Sequence, residues 1–108
     1  MRIEIHTSDP AALWTKIKKD IGTEKIKTWA IVLNVNNEEF LTHSATQWLK
    51  KALLKPAVLT NPNRLSMTIN WFASSVPNEY TKGLYIGRFT EELLEHYRND
   101  FSKLETFA

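Results

Sequence analysis

The chain has 108 residues, of which 43% are hydrophobic and 24% are charged, as in ordinary globular proteins. It contains no cysteine, which excludes disulfides, thiolate catalysis, cysteine-ligated zinc and iron–sulfur clusters. With a net charge of +2, no signal peptide and no apolar run of about 18 residues, the sequence predicts one cytoplasmic domain, residues 1–108, without a membrane segment.

The first two predicted elements are a strand and a helix. Residues 2–6 alternate polar and apolar side chains, with Ile3 and Ile5 on one side, as in a half-buried strand. Ser8-Asp9-Pro10 then supplies an N-cap acceptor and a proline suited to the first helical turn. Apolar residues recur at helical spacing up to Gly22, which predicts the end of this helix.

A β-hairpin is predicted next. The segment 29–35 is almost continuously apolar, which favours a strand covered on both faces for part of its length. Asn36-Asn37 tolerates positive φ and predicts a turn, so residues 39–43 are expected to form the returning strand.

The segment after the hairpin predicts a second helix. Ser44-Ala45-Thr46-Gln47 matches a capping box, in which the first and fourth side chains bind each other's backbone amides. Pro56 forbids continuation of the helix. Between these signals runs an apolar stripe at helical spacing, namely Ala45, Trp48, Leu49, Ala52 and Leu53.

The C-terminal half predicts one strand, one loop and one helix. Residues 65–72 alternate strictly and follow the turn Asn61-Pro62-Asn63, so we expect a half-buried strand. The segment Ala73–Phe89 has no strong period and is expected to be a loop. The last helix is predicted to begin at Thr90, with Glu91 and Glu92 in its first turn. Its expected buried stripe is Leu93, Leu94, Tyr97, Phe101 and Leu104.

These elements follow the order of a ferredoxin-like split βαβ fold. The predicted class is therefore α+β, with βαββαβ order, an added C-terminal helix and an antiparallel sheet that carries its helices on one face. In this topology the first strand lies beside the strand 65–72. The other face of the sheet is expected to remain open.

The open face offers the main candidate site for a ligand. The strand pattern places a histidine, a carboxylate and a guanidinium beside hydroxyl and amide side chains, a set able to bind a small anion or relay a proton. The competing interpretation is an ordinary polar outer face of an antiparallel sheet. The candidate ligand-binding residues are Arg2, Glu4, His6, Thr68 and Asn70, and Ser66 shares their face.

Other chemistry-bearing residues give weaker signals. His43 is interpreted as a turn residue, and His96 as the partner of Glu92 in a surface i,i+4 pair. The glycine-containing segment 82–88 lacks Walker spacing and is interpreted as a connecting loop. No spacing supports a metal or cofactor site, and catalytic residues stay unknown.

The tryptophans and lysines each allow two interpretations. All four tryptophans fall on predicted core positions, which favours packing over stacking on a ligand. Lysines of the first two predicted helices are interpreted mainly as solvated faces, but together they would suit binding to phosphates. They are Lys16, Lys18, Lys19, Lys25, Lys27, Lys50 and Lys51.

The leading functional hypothesis is a non-enzymatic binding domain that acts through a macromolecular partner, most simply a protein, because no catalytic constellation is visible. One alternative is a small enzyme or ligand-binding protein that uses His6, Glu4 and Asn70 on the open face. Another is a weakly specific nucleic-acid-binding module that uses the lysines.

Overall fold

Two helices pack on one face of a six-stranded antiparallel sheet in the computed structural model, which describes residues 1–108. Neither helix combines the length and the apolar character needed to cross a lipid bilayer. The elements in chain order are β1 (Arg2–His6), α1 (Pro10–Gly22), β2 (Trp29–Leu33), β3 (Glu39–His43), β4 (Leu53–Leu59), β5 (Arg64–Asn70), α2 (Glu79–His96), a short 3-10 helix (Arg98–Asp100) and β6 (Lys103–Phe107).

The sheet order is β2-β3-β4-β5-β1-β6. The predicted pairing of the first strand with residues 65–72 is confirmed, because β1 lies beside β5 with Ile3 opposite Met67 and Ile5 opposite Leu65. These four side chains point toward the helices and are fully buried. Since successive side chains of a strand alternate between faces, Arg2, Glu4 and His6 lie on the opposite, open face.

Both helices begin with side-chain caps. Asp9 Oδ1 accepts a hydrogen bond from the Ala12 amide at 3.0 Å, and Pro10 occupies the first turn of α1, as the sequence predicts. Asn78 Oδ1 accepts from the Thr81 amide at 2.8 Å at the start of α2. The core between these helices and the sheet contains Leu13, Trp14, Ile17, Leu41, Leu54, Tyr85, Phe89, Leu93 and Tyr97.

The helix predicted after Ser44 is wrong. Residues 44–52 form consecutive turns, and Lys50 has a left-handed φ of 58°, which stops any helix there. The apolar residues at the end of the predicted stripe belong to β4, where Leu54 pairs with Ile69. A short apolar run satisfies helical and strand periods alike, and the pairing with β5 decides between them.

Pro56 lies inside β4, although proline cannot donate a hydrogen bond to a strand ladder. β3 pairs with β4 only at Leu41 and Leu54, so at Pro56 the strand has no partner on that side. Pro56 therefore does not end a helix, contrary to the prediction. It is tolerated in β4 because the strand pairs only with β5 at this position.

The predicted loop Ala73–Phe89 and the helix start at Thr90 are also wrong. α2 begins directly after Asn78, so Gly83 and Gly87 lie in its interior. The two glycines weaken the apolar stripe in sequence, but the buried residues Tyr85, Ile86 and Phe89 hold this half of the helix on the sheet.

The predicted continuation of the last helix is wrong as well. α2 ends at His96, and Phe101 and Leu104 lie beyond it rather than on its stripe. Leu104 belongs to β6, which pairs with β1. The predicted α+β class is thus confirmed, but the ferredoxin-like order is not matched, because four consecutive strands separate the helices and a strand replaces the terminal helix.

Candidate functional site

A polar network crosses β5, β1 and β6 on the open face. Glu4 is buried, and its two carboxylate oxygens each accept a hydrogen bond at 3.1 Å, from Arg2 Nε and Arg64 Nε. Burial alone would raise the pKa of Glu4, but the Arg2 hydrogen bond and the charges of Arg64 and Arg2 outweigh it and lower the pKa below its usual value. Glu4 is therefore held as a carboxylate between two guanidinium groups.

His6 belongs to the same network but has a different partner. Its Nε2 lies 2.6 Å from Glu105 Oε1 of β6, and Lys103 Nζ lies 3.8 Å from the same oxygen. Most of the His6 side chain is buried, and a carboxylate that fixes one imidazole nitrogen is the arrangement that orients a histidine for proton transfer. His6 thus keeps the geometry that the sequence-based hypothesis needs, with Glu105 as the orienting group.

Two predicted members of the site lie elsewhere along β5. His6 is opposite Arg64, whereas Thr68 is opposite Arg2 at the other end of β1. Asn70 lies beyond β1, opposite Leu53 of β4, about 20 Å along the strand from the level of His6. The expected contact of His6 with Thr68 or Asn70 is therefore wrong, while a ligand-binding role of the open face stays a prediction.

Arg64 and Glu105 are the network residues that sequence reasoning missed. Arg64 lies one residue before the predicted strand, next to the turn Asn61-Pro62-Asn63, and it is opposite His6 in a register that the sequence pattern does not determine. Glu105 gave no comparable signal, because the segment that contains it was assigned to a helix.

One set of possible metal ligands lies within this network. The ligand atoms of Glu4, His6 and Glu105 lie within 4.8 Å of one another. Each Glu4 oxygen already accepts a hydrogen bond from a guanidinium group, and the charges of Arg2 and Arg64 oppose a divalent cation at the same place. The geometry therefore favours a closed ion-pair network over a metal centre.

A second polar pocket lies between β2, β3 and α2. It has a volume of about 320 Å³, and His43 and Glu92 are among the residues that line it. His43 is buried at the end of β3, and its Nδ1 accepts from the Ala45 amide at 3.2 Å, so it is a core residue and not only a turn residue. Burial, followed by the charge of Arg88, lowers the pKa of His43 against an opposing effect of Glu92.

His96 contacts Glu92, one of the residues that line this pocket. Its Nε2 is 3.0 Å from Glu92 Oε2, which confirms the predicted i,i+4 contact, although this buried oxygen has no aligned hydrogen bond. The other oxygen of Glu92 accepts from Thr28 Oγ1 at 2.8 Å. Glu95 is 3.8 Å from His96. The i,i+4 pair accounts for this contact without a ligand.

The lysines proposed for nucleic-acid binding are not all available. Lys16 pairs with Asp100 at 2.9 Å, and Lys18 pairs with Glu39 at 3.1 Å. Lys50 lies on the turns that replace the predicted second helix, so the expected pooling of two helix faces does not occur. The nucleic-acid alternative stays a prediction, with fewer free charges to support it.

The tryptophans divide into two pairs. Trp14 and Trp29 are buried, as predicted, whereas Trp48 is only partly buried and Trp71 is 38% exposed. Tyr80 is 71% exposed on α2, and its ring centre lies 6.0 Å from that of Trp48. The prediction that all four tryptophans form the core is therefore wrong for Trp71, while Trp48 packs against the core but stays partly exposed.

Tyr80 also lines a groove on α2. The groove has a volume of about 410 Å³, and Tyr80, Gly83 and Gly87 are among its lining residues. A side-chain Cβ added at either glycine would meet no atom within 4 Å, so nothing inside the chain requires glycine there. We call Trp48, Tyr80, Gly83 and Gly87 the α2 surface.

Comparisons with known proteins give no functional information, so a functional proposal depends on the geometry of the chain itself. No protein family model, curated protein or solved structure matches the chain.

Proposed function

We propose that this chain is a non-enzymatic interaction domain that binds a helix of a protein partner on the α2 surface. The observation that carries the proposal is the exposure of Tyr80 in an open groove, with the partly buried Trp48 beside it. Tryptophan and tyrosine are enriched among the residues that contribute most to protein interfaces, where a polar rim surrounds them. Charged residues supply such a rim around this groove, namely Glu79, Arg88 and Glu91.

The two glycines explain why the proposed partner segment is a helix. Gly83 and Gly87 are one helical turn apart on the groove side of α2, and a glycine in a helix interior costs about 0.5–1 kcal/mol relative to alanine. Their benefit is close approach of another backbone, which a Cβ would prevent. A second helix packed across α2 would use this space along one turn.

Affinity capture with matched variants tests the proposal. The tagged full chain is incubated with an extract of its source cells, and wild type is compared with Tyr80→Ala and Gly87→Leu. We expect both variants to lose the same captured proteins, because one removes an aromatic anchor and the other fills the groove. Leu94→Ala is the control, since Leu94 is exposed on α2 outside the α2 surface.

The captured proteins are compared only for variants that circular dichroism shows to be folded. Recovery of an unchanged set of proteins by folded Tyr80→Ala and Gly87→Leu would contradict the proposal.

A second candidate function is a small ligand-binding protein or enzyme on the open face. The 2.6 Å contact of His6 with Glu105 and the nearby Arg64 favour it. An NMR titration with inorganic phosphate tests this alternative. Saturable shifts of the His6 and Arg64 signals, absent in His6→Ala, would support it, and unchanged spectra would oppose it.

A further inference from the structure

The outer side of β2 is an open edge of the sheet. The Thr28 carbonyl accepts from the Ser44 amide at 2.9 Å, and the Asn34 amide donates to the Glu38 carbonyl at 3.2 Å. Antiparallel ladders alternate, so the even-numbered residues of β2 bind β3 and the odd-numbered residues direct their N–H and C=O groups outward. The outward residues are Trp29, Ile31 and Leu33.

This edge lacks the usual protection against pairing with another strand. Natural edge strands commonly carry charged residues, proline or a bulge, but β2 consists of five apolar residues. Leu33 is 55% exposed, and Val35, just beyond the strand, is 98% exposed. Such an edge is a template for strand addition.

A pocket lined mainly, but not only, by apolar residues lies directly beside the edge. It has a volume of about 420 Å³ and includes Ile21, Ile26, Trp29 and Ile31 in its lining, while Glu24 and Lys27 contribute charged groups. Trp29 and Ile31 belong to the helix-side core, so the pocket opens on that face of β2. Leu33 lies on the same face by strand alternation, but its side chain is largely exposed to solvent.

We propose that the edge is covered by a second copy of the chain, with β2 antiparallel to the β2 strand of the partner around a two-fold axis at Ile31. This register opposes Trp29 to Leu33 of the partner subunit and Ile31 to Ile31 of the partner subunit. Residues opposed in this way have outward groups on both strands, so each pair exchanges two main-chain hydrogen bonds. The two six-stranded sheets then form one continuous sheet.

The same register makes the side chains self-complementary. Leu33 of one copy lies against Trp29 of the partner subunit, beside the mainly apolar pocket, and the two-fold axis repeats this contact. No charged residue is opposed to another within the strand, so no like-charge repulsion resists the pairing. An exposed leucine and a mainly apolar pocket at symmetric positions favour a second copy over an unrelated strand.

The oligomeric state of the full chain tests this proposal. Light scattering after size exclusion is expected to give twice the 12.5 kDa monomer mass for the wild type. Leu33→Pro removes an outward N–H without touching the β3 ladder, and Leu33→Lys places a charge at the edge, so both are expected to be monomeric. Leu94→Lys is the charge control and is expected to remain dimeric.

Hydrogen exchange of single amides provides the second measurement. The Ile31 and Leu33 amides are expected to become protected as protein concentration rises, whereas the Ala30 and Val32 amides are protected at every concentration. A wild type that stays monomeric up to its solubility limit, or a dimer that persists in folded Leu33→Pro, would overturn the proposal. Loss of the dimer in Tyr80→Ala but not in Leu33→Pro would place the second copy on the α2 surface instead.

Discussion

The two edges of the sheet are built from different chemistry. β2 is apolar throughout, whereas β6 carries Lys103 and Glu105, and Glu105 contacts His6 of β1 at 2.6 Å. Charged side chains on an edge resist the addition of another strand. The β6 edge is therefore protected from strand addition by its charges, whereas the β2 edge is protected only when another chain covers it.

The inner faces of the two edges also differ. In β2, Trp29 makes edge-on aromatic contacts with His43, Tyr85 and Phe89, at ring-centre distances of 5.2, 5.6 and 5.3 Å. In β6, Leu104 is only partly buried against the core. Trp29, the most deeply buried residue of β2, therefore anchors this exposed edge strand to the core.

The largest expected effect tests this difference in attachment. Trp29→Ala is expected to lower the free energy of unfolding by about 3–5 kcal/mol, because it leaves a cavity among three aromatic rings. Leu104→Ala, the matched change in β6, is expected to lower it by less than about 2 kcal/mol. Urea unfolding measures both, and equal losses would contradict the idea that β2 is the more deeply anchored edge.

The same two regions show what the sequence predicts well. β1 and β5 were predicted as strands because strict alternation marks a half-buried strand and fixes which side chains share a face, whereas their pairing was predicted from the assumed ferredoxin-like order. The alternation within β1 grouped Arg2, Glu4 and His6 on one face. The period of a strand therefore predicts a face, but not the register that decides which residues on that face meet.

The missed elements have a common physical cause. Leu53 and the residues around Leu104 fit a helical period, yet long-range pairing with β5 and β1 places them in strands, and the residues before Leu53 form turns. Gly83 and Gly87 made a helix appear unfavourable, although packing of Tyr85 and Phe89 stabilises it. Such contacts join segments that are far apart in the sequence. The sequence pattern alone therefore predicts neither the role of Glu105 nor the α2 surface.

Loss of the charge network beside β6 is expected to have the next largest effect. Arg64→Ala leaves Glu4 buried with one guanidinium instead of two, and is expected to cost about 1.5–3 kcal/mol at neutral pH. Lys55→Ala is the control, because Lys55 is exposed and its ion pair with Glu38 is long, at 3.8 Å. A loss no larger than that of the control, by urea unfolding, would show that Arg64 does not stabilise Glu4.

The network also predicts an acid dependence. Because the folded pKa of Glu4 is lowered, its contribution to stability is present above the ordinary value of 4.5 and is lost as pH falls through the folded pKa. Wild type is expected to lose more stability than Glu4→Gln in that range. Parallel pH profiles of the two proteins would contradict a paired Glu4.

On the β2 side of the molecule, His43 is expected to make stability depend on pH in a higher range than Glu4 does. His43 is buried with a lowered pKa, so the native state holds it neutral while the unfolded chain binds a proton below about 6.5. Stability is therefore expected to fall as pH drops from 6.5 toward the folded pKa. Arg88→Gln removes a charge that lowers this pKa, and should raise it in an NMR titration of the His43 ring, whereas Lys82→Gln should not.

The smallest effect on folding is expected at the charged edge itself. The Lys103 side chain is largely exposed, so Lys103→Ile is expected to change the free energy of unfolding by less than about 0.5 kcal/mol. The charge of Lys103 is expected to protect the β6 edge from pairing with another strand, so its removal makes β6 more like the β2 edge. Combined with Leu33→Pro, which blocks the β2 edge, Lys103→Ile is expected to restore concentration-dependent association, detected by light scattering. Lys55→Ile is the control in the same background and is expected to stay monomeric, so association of both double variants would attribute the effect to general hydrophobicity rather than to the β6 edge.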